Sequence, residues 1–124
     1  MRTKEEIEAA ISAEISRFEQ DYMGRGPKDI HVHLLDDLLL IRLRGVLSVA
    51  EQHLAKSRPA ESGRDLLKQV KSHLIETTRP VMEAMVEKVT GVKVVTMLHD
   101  ISVMTGEEVI LFTLAQSPDC RVPR

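Results

Sequence analysis

Residues 30–44 read IHVHLLDDLLLIRLR, and the pairing of this stretch decides the fold. Successive side chains of a strand point to opposite faces. Ile30, Val32 and Leu34 therefore share one face, and His31, His33 and Leu35 share the other. With Asp36-Asp37 as a two-residue turn, Leu35 pairs with Leu38, Leu34 with Leu39, Val32 with Ile41 and Ile30 with Leu43. That register makes one wholly apolar face from Ile30, Val32, Leu34, Leu39, Ile41 and Leu43. The opposite face carries His31, His33, Arg42 and Arg44 at the open end and Leu35, Leu38 and Leu40 at the turn. A slip of one residue would mix the two faces, so the pattern itself argues for this register.

The rest of the chain must supply a cover for the apolar face. Residues 3–23 carry Ile7, Ile11, Ile15 and Phe18 at helical spacing, with Glu5, Glu8, Glu14, Arg17 and Glu19 assigned to the wet side. Thr3 with Glu6 forms a capping box at its start. Gly24-Arg25-Gly26-Pro27 ends the helix, because Gly24 can turn left-handed and Pro27 cannot continue the helix. Ser48 with Glu51 predicts a second capping box, opening a short helix over residues 49–56 with Leu47, Ala50 and Leu54 inward. Residues 57–63 read as a polar linker. Residues 64–89 form a long helical pattern whose expected buried side is Leu66, Leu67, Val70, Leu74, Val81, Met85 and Val89. Pro80 must kink this helix or sit in the first turn of a new one, with Thr78 as its cap.

A second hairpin follows, over residues 92–103 and 108–115, turning at Met104-Thr105-Gly106-Glu107. The unbroken run Val109-Ile110-Leu111-Phe112 suits a strand covered on both sides. His99-Asp100 interrupts its partner, which predicts a bulge or an edge position there. Residues 116–124, with two prolines, read as a flexible tail. The expected architecture is a single α+β domain of order α-β-β-α-α-β-β. Its sheet is four-stranded and largely antiparallel, built from two hairpins, with the helices on one face.

Composition removes several function classes. Only one Tyr, two Phe and no Trp are present, so the chain lacks the aromatic platform that stacks bases. A net charge of -2 gives no basic footprint for nucleic acid. One cysteine, Cys120, permits no internal disulfide and makes a zinc cluster a poor reading. No apolar run approaches the roughly 20 residues a membrane helix needs, and the acidic, amphipathic N-terminus does not read as a signal peptide. The expected location is the cytoplasm, without direct membrane insertion.

Candidate chemistry is sparse. His31 and His33 share a strand face and could share a metal. A catalytic zinc needs a third protein ligand, and Arg42 beside them disfavours a cation. Exposed strand histidines are the commoner meaning. His99-Asp100 resembles half of an acid–base pair, but neighbours in a strand point apart. Asp36-Asp37 supplies too few oxygens for a calcium loop and reads better as a turn. Gly24-Arg25-Gly26-Pro27 could cradle an anion, although such loops normally precede a helix. Met82, Met85, Met97 and Met104 read as core filler in a chain poor in aromatics. No catalytic residue, metal or cofactor is assigned.

Four stretches resemble the MpsC-like family: FEQDYMGRGPKDI, DDLLLIRLRGVLSVAEQHLAK, GRDLLKQVKSHLIETTRPVMEAMVEKVTGVKVV and LHDISVMTGEEVILFTLA. The most specific parts are Gly24-Arg25-Gly26-Pro27, Arg44-Gly45-Val46-Leu47 with Ala50-Glu51, Arg79-Pro80, and Thr90-Gly91-Val92-Lys93-Val94 with Asp100-Ile101-Ser102 and Thr105-Gly106-Glu107. The resemblance implies a small bacterial or archaeal cytosolic protein. In some members it implies a link to membrane proteins for ion or inorganic-carbon uptake. It brings no catalytic residue set.

Three readings follow. The first is a non-enzymatic interaction or regulatory protein, homodimeric through Leu35, Leu38 and Leu40, and accessory to a membrane-protein partner. The second is a small-anion or small-ligand sensor using Arg25, His31, His33, Arg42 and Arg44. The third, an enzyme, requires another polar group beside His31 and His33, or His99 turned toward Arg44.

Overall fold

The computed structural model describes residues 2–24, 26–56 and 60–120, with nothing stated for the side chains of residues 60 and 61. Arg25, residues 57–59 of the expected linker and residues 121–124 of the expected tail lie outside the described residues. The elements run α1 (Lys4–Met23), β1 (Asp29–Leu35), β2 (Leu38–Arg44), α2 (Val49–Ala55), α3 (Ala60–Thr77), α4 (Arg79–Thr90), β3 (Val94–Ser102) and β4 (Glu107–Leu114). This is the expected α+β order, with the long helix divided at Pro80 into α3 and α4. All strand pairs are antiparallel and the sheet order is β1-β2-β4-β3.

The first hairpin pairs in the predicted register: Leu35 opposes Leu38, and Ile30 opposes Leu43. The turn is closed by Asp36 at φ 56, the one non-glycine among the described residues with a left-handed backbone. Asp tolerates that region better than most side chains. Leu34, Leu39, Ile41 and Leu43 are buried, with Ile110, Phe112 and Leu114 of β4 continuing the same layer and Met97 and Ile101 completing it on β3. Helices cover this layer. Ile7, Ile11, Ile15 and Phe18 of α1 and Met82 and Val86 of α4 are its buried counterparts.

Both predicted capping boxes form. Thr3 and Glu6 exchange hydrogen bonds of 3.1 and 3.1 Å, and Ser48 and Glu51 bonds of 3.1 and 2.8 Å. Each satisfies two amides that a helix start would leave unpaired. Gly24 adopts the left-handed C-cap at φ 81.

The helical middle differs from expectation. α3 starts at Ala60, so part of the expected linker is helix. Pro80 opens α4 in its first turn with Thr78 at the expected N-cap position, but the Thr78 side chain makes no capping bond. The Thr78 hydroxyl instead donates to the carbonyls of Leu74 (2.9 Å) and Ile75 (3.2 Å), closing α3. The inward stripe of α3 is Leu67, Lys71 and Ile75, while Leu66, Val70, Leu74 and, on α4, Val81 are exposed. Those four were expected inside. Leu67 and Ile75 are eight residues apart, two near-full turns, and rotating α3 to bury Leu66 and Val70 would expel them. In α2, Ala55 is buried while Ala50 is exposed, and in the methionine group Met104 is exposed. The tail begins on the body of the protein: Pro118 is buried and Cys120 packs against the core.

Candidate functional site

The sheet has one covered face and one open face. Register fixes the open one. His33, Leu40, Leu111 and Leu98 line up across β1, β2, β4 and β3. Leu35, Leu38, Thr113 and Thr96 form the next row toward the Asp36 turn. Leu35 is 50% exposed and Leu98 58%. Leu38, Leu40, Val109 and Leu111 are half-buried. β4 is thus a central strand whose apolar run is covered on one side, not two, within the chain.

The polar end of this face holds His31, Arg42, Val109 and Asp100 in one row. Arg42 is already engaged, its Nη2 lying 3.0 Å from Glu107 Oε2. That hydrogen bond and charge hold the Glu107 carboxyl below the usual range. Arg44 and Asp29 are opposed at the end of the hairpin. So His31, His33, Arg42 and Arg44 do share one face, but with three carboxylates at the same end, Asp29, Asp100 and Glu107. His99 does not turn toward Arg44. Its Nε2 lies 2.7 Å from Glu76 Oε1 on α3, and the bond from His99 is the main cause holding the Glu76 carboxyl low. No register shift marks His99-Asp100; the irregularity falls between Val94 and Thr96, and the edge position is the half of that expectation that holds.

Both sheet edges are guarded by helix side chains. On β1, the Leu34 amide donates to Glu8 Oε2 at 2.8 Å. On β3, Arg79 Nη2 donates to the Met97 carbonyl at 3.1 Å, and the Val94 amide donates to Glu87 Oε1 at 3.2 Å. Unpaired edge groups are a template for adding strands, and these contacts occupy several of them.

A buried ionisable cluster escaped the sequence reading. Glu19, expected on the wet side of α1, is 4% exposed, and Glu108 at the start of β4 is 5% exposed. Burial pushes the Glu19 carboxyl up to about 7, against the pull of Lys71. Burial, then the charge of Glu19, pushes Glu108 up to about 8, again against Lys71. Lys71 on α3 pairs with Glu51 on α2 at 2.8 Å. Burial works against the Glu51 carboxylate, but its bonds to Lys71 and Ser48 outweigh that and hold it below its ordinary value. Glu19 Oε1 has no hydrogen-bond partner among the described residues. The signal was in the spacing: Glu19 sits four residues after Ile15, and Glu108 two before Ile110, each on an inward period.

No helix among the described residues is long and apolar enough to cross a membrane. Among them, too, no group of three or more His, Cys, Asp or Glu is placed to hold a metal ion.

The family model described as "Na+-translocating membrane potential-generating system (MpsC)" matches residues 3–116. Two proteins of Bacillus subtilis (strain 168) are similar over most of their length. "Uncharacterized protein YbcI" is 34% identical over 113 residues, covering 91% of this chain and 89% of its own. "Uncharacterized protein YrhF" is 26% identical over 107 residues, covering 85% and 84%. No solved structure matches.

Proposed function

This chain belongs to the MpsC family, and on that premise we propose that it is a non-catalytic interaction subunit that pairs with a second copy of itself through the open sheet face. The family's name ties it to a Na+-translocating, membrane-potential-generating system. The role proposed here is that of a cytosolic accessory or regulator to the membrane components of such a system.

The row His33–Leu40–Leu111–Leu98, with Leu35 and Leu38 beside it, carries the proposal. Large contiguous apolar patches on a free surface mark contact sites. Four strands of about seven residues span roughly 20 Å by 20 Å. With side-chain relief that is on the order of 600 Å² per partner, the lower end of specific interfaces. A two-fold axis lets one patch serve both copies. The guarded edges disfavour strand addition, which leaves the face as the open route to association.

Sedimentation velocity at tens of micromolar tests the pairing. The expected result is a dimer that Leu38→Lys and Leu98→Lys each dissociate, with Val70→Lys on the exposed side of α3 as control. A monomeric wild type would overturn the face-to-face dimer. So would dissociation by Val70→Lys alone, which would move the interface to the Leu66, Val70, Leu74 stripe.

The second reading, a small anion held by Arg25, His31, His33, Arg42 and Arg44, has less support. Glu107 already neutralises Arg42, and Asp29 opposes Arg44. A thermal-shift screen with phosphate and bicarbonate on wild type and Arg44→Ala separates the two.

A further inference from the structure

A cavity of about 350 Å³ lies away from the sheet face, between α2 and the β3–β4 turn. This is within the range of about 300–1,000 Å³ that holds small molecules. Its floor is apolar and buried, formed by Leu47, Ala55 and Val103. Val49 and Met104 flank it, large apolar side chains that are 70% and 66% exposed.

Gln52 and Thr105 add neutral polar groups, and the charged side chains among its described lining residues are of one sign. Lys28 and Lys56 line it, and neither has an ion-pair partner among the described residues. The Arg64 guanidinium adds a third positive charge, its Nη1 lying 3.5 Å from Met104 Sδ. Among the described residues no carboxylate lines the cavity, in a chain whose net charge is -2.

The backbone is shaped to make this hollow. The Val46 amide donates to the Gly106 carbonyl at 3.2 Å, pinning the β2–α2 connection to the β3–β4 turn. Gly45 stands at φ +69, and the Lys28 stem lies where its side chain would be: a Cβ on Gly45 would fall 2.6 Å from Lys28 Cγ. The missing side chain lets that stem lie flat against the backbone at the cavity's edge.

We propose that this cavity binds a small aliphatic carboxylate, its headgroup between Lys28 and Lys56 and its tail on Leu47, Ala55 and Val103. An apolar floor under a cationic rim matches a molecule with one anionic end and one greasy end. The hollow is concave, which suits a small molecule; a bilayer surface would meet Lys28 and Lys56 only at the rim.

Titrating the full chain with butyrate, hexanoate and octanoate, read by calorimetry and by amide NMR shifts, tests this. Amides of Gly45, Ala55 and Gly106 shift, and affinity rises roughly fourfold per added methylene until the floor is covered. Hexanol and hexylamine bind at least about tenfold more weakly, for want of a charge-assisted bond to lysine. Lys28→Met with Lys56→Met weakens hexanoate by about tenfold or more, and Val49→Asp, at an exposed position that leaves folding intact, abolishes binding. Absence of shifts at those amides with all three carboxylates at about 10 mM, a weak-binding regime, overturns the proposal. Equal binding of hexylamine overturns it, as does binding indifferent to the lysine and Val49 variants. Lysine-dependent sedimentation with phosphatidylglycerol vesicles, without octanoate binding, would assign the rim to a membrane and overturn the pocket.

Discussion

Replacing Glu108 by Gln removes a buried ionisable group while keeping its shape. In the folded chain Glu108 holds its proton to about pH 8, against an ordinary value of 4.5. The unfolded chain releases that proton at the ordinary value. Between the two the folded state binds more protons, so stability falls as pH rises. Below about pH 4.5 the group is neutral in both states and the penalty vanishes. Above about pH 8 it is complete. At about 1.4 kcal/mol per unit, the gap between variant and wild type should widen by about 4 kcal/mol from pH 5 to pH 8.5. Urea denaturation at several pH values measures it. The carboxyls held low, Glu51, Glu76, Asp100 and Glu107, act below their ordinary values and in the opposite sense, so they do not enter this window. Glu108 is raised partly by the charge of Glu19. Glu19→Gln with Glu108→Gln should therefore gain less than the sum of the single changes. Wild-type and Glu108→Gln curves running parallel from pH 5 to pH 8.5 would refute the reasoning.

Other expectations follow from the same contacts. Lys71→Met removes the cation that lowers both Glu19 and Glu108, so the pH-dependent loss of stability still begins near the ordinary carboxyl value but grows larger and extends to higher pH in the same titration. Met82→Ala, at a fully buried site under α4, should cost about 2–5 kcal/mol in urea midpoint analysis. Ser48→Ala breaks the α2 capping box and should cost about 1 kcal/mol, visible as a lowered melting temperature. Glu8→Ala leaves the Leu34 amide open on the β1 edge, and light scattering should detect faster aggregation on heating.

Much of the fold was legible because strand alternation and capping chemistry are local. The Leu34–Leu39 and Val32–Ile41 pairs follow from alternation and a two-residue turn alone. Thr3 with Glu6, and Ser48 with Glu51, need only three residues of context. The inward side of α3 was not legible, because two stripes one residue apart both carried large apolar residues, and the inward one is interrupted by Lys71. Leu67, Lys71 and Ile75 face inward, and Lys71 meets Glu51 of the neighbouring helix at 2.8 Å, a contact that helical spacing alone does not show. Glu19 was misplaced by its charge, though its spacing from Ile15 was right. The open face was readable at Leu35, Leu38 and Leu40, but its extension to Leu98 and Leu111 required the order β1-β2-β4-β3. The Lys28–Lys56 hollow left no mark in the sequence, since it joins residues from three separate segments.

The placement of Cys120 has a practical consequence. It is the chain's sole sulfhydryl, half covered where Pro118 and Cys120 rest on the core, with its Sγ 3.5 Å from the Pro118 carbonyl. A bulky labelling reagent reacts fully only after that end peels away, so the rate of modification clocks the peeling. If the clock runs at the same speed in dilute urea as in buffer, the end lifts by itself. If it quickens in step with the loss of structure, the last strand and its trailing segment come undone together with everything else.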